Sequence, residues 1–215
     1  MAANVFGNPI TDETLKAMPE YNNKPITRCD RAHEALNMIH AESKDVNALR
    51  YVENLKEQYG DGVSTLCVVY NASGDPITFQ DSHDWHGHLW KAPYPQSLLN
   101  GQWGAFLHVH PSGAMAGSSA AVIYRGKNDA GKDHDFMFSW MNPWWSGSCT
   151  AYTLVRPAGY FDSEISWDTL QDNTDNGKLQ WTNENEGCKS YVSIGNNTTA
   201  IYEAKLTLKC AEVSK

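Results

Sequence analysis

From Asp61-Gly62 onward the chain is cut into short β-prone runs separated by polar turns, and this rhythm leaves few folds open to it. Thr65-Leu66-Cys67-Val68-Val69-Tyr70 is ended by Asn71-Ala72-Ser73-Gly74-Asp75-Pro76, a turn by composition. Ile77-Thr78-Phe79 reads as a second strand, and Asn100-Gly101 is a turn signal leading into a strand from Trp103 to His110. Ala120 to Tyr124 and Asp135 to Trp140 read as a hairpin joined through the Gly126-to-Gly131 turn. Ala151 to Val155, Tyr191 to Ile194 and Ala200 to Leu208 complete the set. Residues 162–189, rich in Asp, Asn and Gly, read as a connection. Short strands at close spacing predict an all-β sandwich or barrel over residues 62–215.

Residues 1–61 have a different texture. Thr11 is placed to cap a short helix from Asp12 that Pro19 stops. Thr27-Arg28-Cys29-Asp30 has the form of a capping box, and Ala32, Ala35, Leu36 and Ile39 follow at the spacing of one helical face. A longer helix is predicted from about Asp45, with Val46, Leu49, Val52 and Leu55 inward, to Tyr59-Gly60. The expected organisation is an N-terminal helical segment whose apolar stripes pack on the β body. His33 and His40 are expected on its solvent side.

Of the 215 residues 41% are hydrophobic and 20% charged, which suits a packed globular chain and excludes disorder. A net charge of −8 argues against the phosphate attraction that nucleic-acid binding needs. No transmembrane span and no secretory leader is read, so the expected address is cytoplasmic. Five widely spaced cysteines form no CxxC pair and are expected mostly as packing residues, with a Cys149–Cys188 or Cys188–Cys210 bridge as the alternative.

Five of the eight histidines fall between His83 and His110, interleaved with three of the eight tryptophans. His86-Gly87-His88 and His108-Val109-His110 are HxH pairs. In an extended strand each would turn both imidazoles to one face, a donor set for zinc, copper or non-haem iron. The second pair, with Pro111-Ser112-Gly113 behind it, is similar to the signature of JAMM-type zinc isopeptidases. That signature needs an aspartate soon after its serine, and Ala120-Ala121-Val122 stands there instead. No nucleophile elbow, P-loop or HExxH is present, so a non-enzymatic role is expected.

The second chemical signal is aromatic. Trp140-Met141-Asn142-Pro143-Trp144-Trp145 runs from a strand into a Gly/Ser turn, which puts Trp144 and Trp145 near a loop tip. With Trp90, Tyr94 and Tyr152 they could stack on a sugar or enclose a quaternary ammonium by cation–π attraction.

The chain resembles the plant 23 kDa jasmonate-induced proteins over nearly its whole length. The likeness is carried by Ile10-Thr11-Asp12 through Met18-Pro19-Glu20-Tyr21, by Asp30-Arg31-Ala32-His33, and by Asn47 through Lys56. It continues through Ser82-His83-Asp84-Trp85-His86-Gly87-His88 and Asn100 through Pro111. That family is named for stress induction rather than for a chemistry. The β part also resembles the actinoporin-like sandwich of sea-anemone cytolysins and of fungal lectins and sphingolipid binders (nakanori-like). This second likeness rests on Asn100-Gly101, on Gly117 through Tyr124 and on Phe138-Ser139 followed by Pro143-Trp144. It implies an actinoporin-like β-sandwich whose phosphocholine pocket would fall at Ser139, Pro143, Trp144 and Tyr152. The Ser139–Pro143 spacing is longer than the cytolysin form, and the helices lack the long amphipathic lead of a pore former. The implied partner is therefore a membrane lipid headgroup or a glycan, with a divalent metal at His86, His88, His108 and His110 as the alternative.

Overall fold

The computed structural model describes residues 4–145 and 147–212. In chain order the elements are β1 (Val5–Phe6), α1 (Asp12–Lys16), α2 (Arg28–Asn37), α3 (Lys44–Tyr59), β2 (Ser64–Ala72), β3 (Ile77–His86), β4 (His88–Trp90) and β5 (Ser97–Leu98). They continue with β6 (Trp103–Val109), β7 (Ser118–Lys127), β8 (Asp133–Asn142), β9 (Thr150–Pro157), α4 (Tyr160–Ser163), α5 (Trp167–Asp175), β10 (Gln180–Asn185), β11 (Cys188–Ile194) and β12 (Thr199–Leu208). The protein is mainly β, a two-sheet sandwich with a small N-terminal helical segment, as the sequence predicts.

One sheet runs β6-β2-β12-β11-β10, with β1 and β4 sharing the outer edge of β6; the other runs β5-β3-β7-β8-β9. All pairings are antiparallel except β2 with β12, which run parallel in register from Thr199↔Ser64 to Thr207↔Ala72. That pairing joins strands well over a hundred residues apart, so no local turn signal announces it.

Every residue of β2 and β6 is buried, although antiparallel strands at a surface bury alternate residues. The reason is a third layer. Cys67, Val69 and Phe106 face the opposing sheet, while Leu66, Val68, Tyr70, Ala105 and Leu107 face Ala35, Ala48, Val52 and Leu55 of α2 and α3. The apolar stripes of these helices are thus spent on the sheet, except that Val46, expected inward, is 48% exposed and Ala48 is buried instead. Both capping boxes form, Thr11 with Thr14 and Thr27 with Asp30, and α3 ends at Gly60, whose φ is +92°. Arg28 and Arg31 pair with Asp75, tying α2 to the β2–β3 turn.

A fourth layer covers the other sheet. Ala121, Ile123, Met137 and Leu154 pack under Phe161 of α4 and Leu170 of α5. By composition this segment reads as a connection, and the structure makes it two helices. Its signal was short but present: Ser166 caps α5 by accepting from the Thr169 N–H, and Trp167, Leu170 and Thr174 follow at helical spacing. The core between the sheets is aromatic, with Phe106, Phe136, Phe138, Tyr124, Tyr202 and Trp140 sealed from solvent. Each such phenyl side chain contributes about 1.5–3 kcal/mol by its burial.

Two local expectations change. Cys29 is bridged to Cys210 across 181 positions, while Cys67, Cys149 and Cys188 are buried free thiols. Neither expected pairing occurs, because Cys149 and Cys188 sit at separate places in the core and Cys210 follows β12 back to α2. Nδ1 of His33 lies 2.7 Å from the carbonyl oxygen of Ala211, so this ring is docked on the C-terminal turn rather than free in solvent. Asp135 of β8 is buried and accepts two hydrogen bonds from Arg125, at 2.7 and 2.8 Å. No described helix is long and apolar enough to cross a membrane.

Candidate headgroup groove

The histidine run is divided between the two sheets. β3 ends at His86 and pairs with β7; β4 begins at His88 and pairs with β6 of the other sheet. Gly87, at φ +100°, makes the corner. A Cβ there would stand 2.2 Å from the Val109 oxygen and 2.8 Å from the His108 ring, so only glycine fits. An HxH pair shares a face only in a continuous strand, and this one is not continuous.

The second pair also separates. His108 is fully buried between the sheets, with Nδ1 2.8 Å from the Ser118 hydroxyl and Nε2 3.3 Å from Asp84. His110 lies beyond β6, its ring 4.8 Å from Trp144 and 5.8 Å from Tyr59. Among the described residues no three His, Cys, Asp or Glu side chains are grouped so as to hold a metal ion. The donor set of His86, His88, His108 and His110 therefore does not assemble, and no metal chemistry is built on it.

Burial pushes the His108 pKa down, Asp84 opposes that shift, and His88 adds to it. An ionised carboxylate can only accept, so Nε2 carries the proton and Nδ1 accepts from the Ser118 hydroxyl. Ser118 in turn accepts from Trp140 Nε1 at 3.3 Å and meets Thr65 Oγ1 at 2.7 Å. The Asp84–His108–Ser118 line has the residue types of a catalytic triad. Its serine, however, is sealed in the core, and the network is structural.

The open feature is a groove of about 510 Å³ at the same end of the sandwich. Its floor is written by sheet register: His86 pairs with Ser119, and Ser119 with Met141, so three adjacent strands present these side chains in a row. α5 forms one side with Gln171 and Asp175, four apart on one helical face. Met115 and the Pro143-Trp144-Trp145 loop form the other.

That loop is anchored at its base. Asn142 Nδ2 donates to the carbonyl of Ser64 at 3.1 Å and of Thr198 at 3.3 Å, and Asn196 accepts from the Cys149 N–H at 2.9 Å. A Cβ on Gly117 would stand 2.0 Å from the Asn142 oxygen, so the β7 entry can lie against the loop only as glycine.

Two groups in the groove stand out. Ser119 is 1% exposed, yet its hydroxyl has no hydrogen-bond partner among the described residues. It is one of several buried polar atoms without a partner among the described residues, and such a hydroxyl can still bond a water. Trp145 and Met115 are each 67% exposed, the most exposed of the large apolar side chains among the described residues, and both border this one groove. Trp144 is half-buried beside them.

Of the residues singled out in the sequence, His86, Pro143, Trp144 and Trp145 meet at the groove, with the His110 ring tilted against Trp144 behind it. The others lie elsewhere. Trp90 stands edge-on to Tyr59 at 5.0 Å, with Lys91 over its ring. Tyr94 is buried between Phe79 and Phe106. Ser139 is covered by α5, bonded to Thr174 Oγ1 at 2.7 Å and donating to the Tyr152 carbonyl at 3.2 Å. The Tyr152 ring packs on Trp181. Ser119, Gln171, Asp175 and Met115 were missed, since nothing local marks residues that become neighbours only through register.

A helix-flanked β-sandwich carrying an open, tryptophan-walled groove at one end is the class of protein this fold and site define. The chain belongs to the Nakanori-like protein family, whose model matches residues 6–209. It is 46% identical to the 23 kDa jasmonate-induced protein of Hordeum vulgare over 93% of this chain and 95% of that one. A jasmonate-induced protein homolog of Atriplex canescens is 24% identical over 79% of this chain and 92% of its own length. Among solved structures, the lipid binding protein Nakanori superposes with a TM-score of 0.87 at 31% identity, covering 94% of this chain and 98% of that one.

Proposed function

We propose that this protein is a non-enzymatic, stress-related binding module that docks on a membrane and takes a lipid headgroup of the phosphocholine or sphingolipid type into the groove. The observation that carries the reading is the coincidence of opposite features at one place. The two most exposed large apolar side chains among the described residues, Trp145 and Met115, border a groove whose lining includes Ser119, buried and without a partner among those residues. Trp and Met at a rim suit the membrane–water interface, and a recessed polar floor suits a headgroup. Nakanori, described as a lipid binding protein, shares the whole architecture.

Trp90, with Lys91 over its ring, and Tyr59 continue the aromatic rim through His110 to Trp144. Such amphipathic side chains favour an interface on that side too.

A glycan is the second reading, and one observation favours it. On the far face of the Trp144–Trp145 loop a hollow of about 300 Å³ is lined by Asn142, Asn196 and Asn197, the amide-plus-indole set that binds sugars. Co-sedimentation with sphingomyelin and phosphatidylcholine vesicles, run beside a glycan array, tests both. Selective vesicle binding that falls in Trp144→Ala and Trp145→Ala is expected. Vesicle binding unchanged by both substitutions would sink the lipid reading, and selective array binding would replace it with the glycan one.

A further inference from the structure

We propose that the Cys29–Cys210 bridge is a thiol-exchange site: a small neutral or cationic thiol enters the hollow beside it, opens the bond at Cys210 and frees the last turn of the chain. The site is independent of the headgroup reading, because the bridge lies at the opposite end of the sandwich from the groove.

Both cysteines are half-buried and line one hollow of about 280 Å³, so a small molecule reaches the bridge in the folded protein. The other sulfurs are closed off. Cys67, Cys149 and Cys188 are buried, and desolvation raises the pKa of all three thiols, that of Cys188 to about 12. A thiol must ionise to attack a disulfide, so the attacking sulfur comes from outside the fold.

Cys29 is the second residue of α2, a position where the helix N-terminus stabilises a thiolate. It is the better leaving group, and the incoming thiolate therefore attacks Sγ of Cys210. The S–S bond breaks, its electron pair stays on Cys29 Sγ, and Cys210 carries the mixed disulfide. A second thiol then displaces the first from Cys210. Two small thiols are thereby oxidised to one disulfide, the bridge is reduced to two thiols, and the protons of the incoming thiols end on Cys29 and Cys210.

The hollow filters the thiol by charge. Glu20, Asp30 and Glu34 line it against the single lysine Lys24, with His33 beside them. An anionic thiol meets this field before it meets sulfur, whereas a cationic one is drawn in.

The bridge is also the one covalent fastening of the Lys209–Glu212 turn. Besides it the turn has the buried Ala211 methyl, the His33 Nδ1 contact with the Ala211 carbonyl at 2.7 Å, the Lys209 N–H donating to Gly187 and the exposed Lys189–Glu212 pair. One methyl buries little area and an exposed ion pair adds little. Cutting the bridge therefore lets this turn open while the sheets stay folded.

The test treats the full chain, oxidised in air, with cysteamine, mercaptoethanol or mercaptoethanesulfonate at low salt. Adducts are alkylated and mapped by mass spectrometry, and each rate is referred to that of the same thiol on a small reference disulfide. Cysteamine is expected on Cys210, the alkyl label on Cys29, and neither on Cys67, Cys149 or Cys188. Cysteamine should react about tenfold faster than the sulfonate. That difference should shrink at high salt and in the double variant Glu20→Gln, Glu34→Gln. Hydrogen exchange after reduction should show protection lost over residues 209–212 and kept in β2 and β6. Adducts chiefly on Cys29, a sulfonate as fast as cysteamine, or opening only at the global unfolding rate would overturn the inference. So would an unbridged Cys29 and Cys210 in the oxidised chain, or unchanged protection over residues 209–212 after reduction. None of these readouts involves a lipid, so they stand or fall apart from the headgroup reading.

Discussion

Asp84 and His108 are hydrogen-bonded from one sheet to the other, Oδ1 to Nε2 at 3.3 Å, at the end of the sandwich that carries the groove. The imidazole is fully buried and the carboxylate is partly open to solvent. Since the pair is flanked by Ser118, Thr65 and Trp140, it couples the integrity of the core to pH.

The sign follows from burial. The folded His108 pKa lies below its ordinary value of 6.5, so between the two values the unfolded chain binds the proton first. Stability is complete above about pH 6.5 and is lost as pH falls from there through the folded pKa, with no further loss below it. Urea denaturation from pH 8 to pH 5 should show this slope, and His108→Gln should flatten it in that window. Ser118→Ala should cost about 1–3 kcal/mol at pH 7, by leaving His108, Thr65 and Trp140 short of a partner.

A second acid transition is expected at lower pH. Burial raises the Asp75 pKa, but hydrogen bonds and charge from Arg28 and Arg31 outweigh it and hold the carboxyl below its ordinary range. That stability is present above the unfolded carboxylate pKa and is lost as pH falls through the folded one. Asp75→Asn should remove this lower step and leave the His108 step in place, and the same denaturation series reads both.

The Cys29–Cys210 bridge closes nearly the whole chain and ties α2 to the segment after β12, at the opposite end from the groove. Cys29→Ser or reduction should lower stability by about 2–5 kcal/mol, the range for loss of a native bridge. Vesicle binding at temperatures well below the melting point should change little. Thiol labelling of protein taken directly from cells also tests the cytoplasmic address, where such a bridge is expected to be reduced.

Asn100 is a fully used buried amide. Its Nδ2 donates to the carbonyls of Ile10 and Arg31, both at 3.0 Å, and its Oδ1 accepts from the Gly74 N–H at 2.8 Å. Asn100→Asp keeps the size and sets a carboxylate against two carbonyl oxygens. It should cost about 2–4 kcal/mol, more than Asn100→Ala, measured by thermal unfolding.

The two loop tryptophans should separate binding from stability. Trp145→Ala is expected to reduce vesicle affinity roughly tenfold or more, from the apolar area it would lose at an interface, with no change in melting temperature. Trp144→Ala should reduce affinity as well, and should also cost about 0.5–1.5 kcal/mol of stability through its lost contact with His110. Titrating both variants against the same vesicles, beside their melting curves, checks the contrast.

Much of this protein can be read from neighbours along the chain. The capping residues Thr11 and Thr27, the apolar stripe of α3, the β-prone runs and the exposed Trp144–Trp145 loop all follow from residues within a turn or two of one another. Hydrogen bonding and side-chain spacing act at that range, so the sequence by itself determined them. The tertiary structure alone decided what meets what. Gly87 sends His86 and His88 into different sheets, which dissolves the metal site that their spacing suggests. The parallel β2–β12 pairing and the Cys29–Cys210 bridge join segments from opposite ends of the chain. In the groove, β3, β7, β8 and α5 bring His86, Ser119, Met141 and Asp175 together by register and layer packing. Those contacts depend on burying both faces of both sheets at once, a condition on the whole chain that no short stretch of it can state.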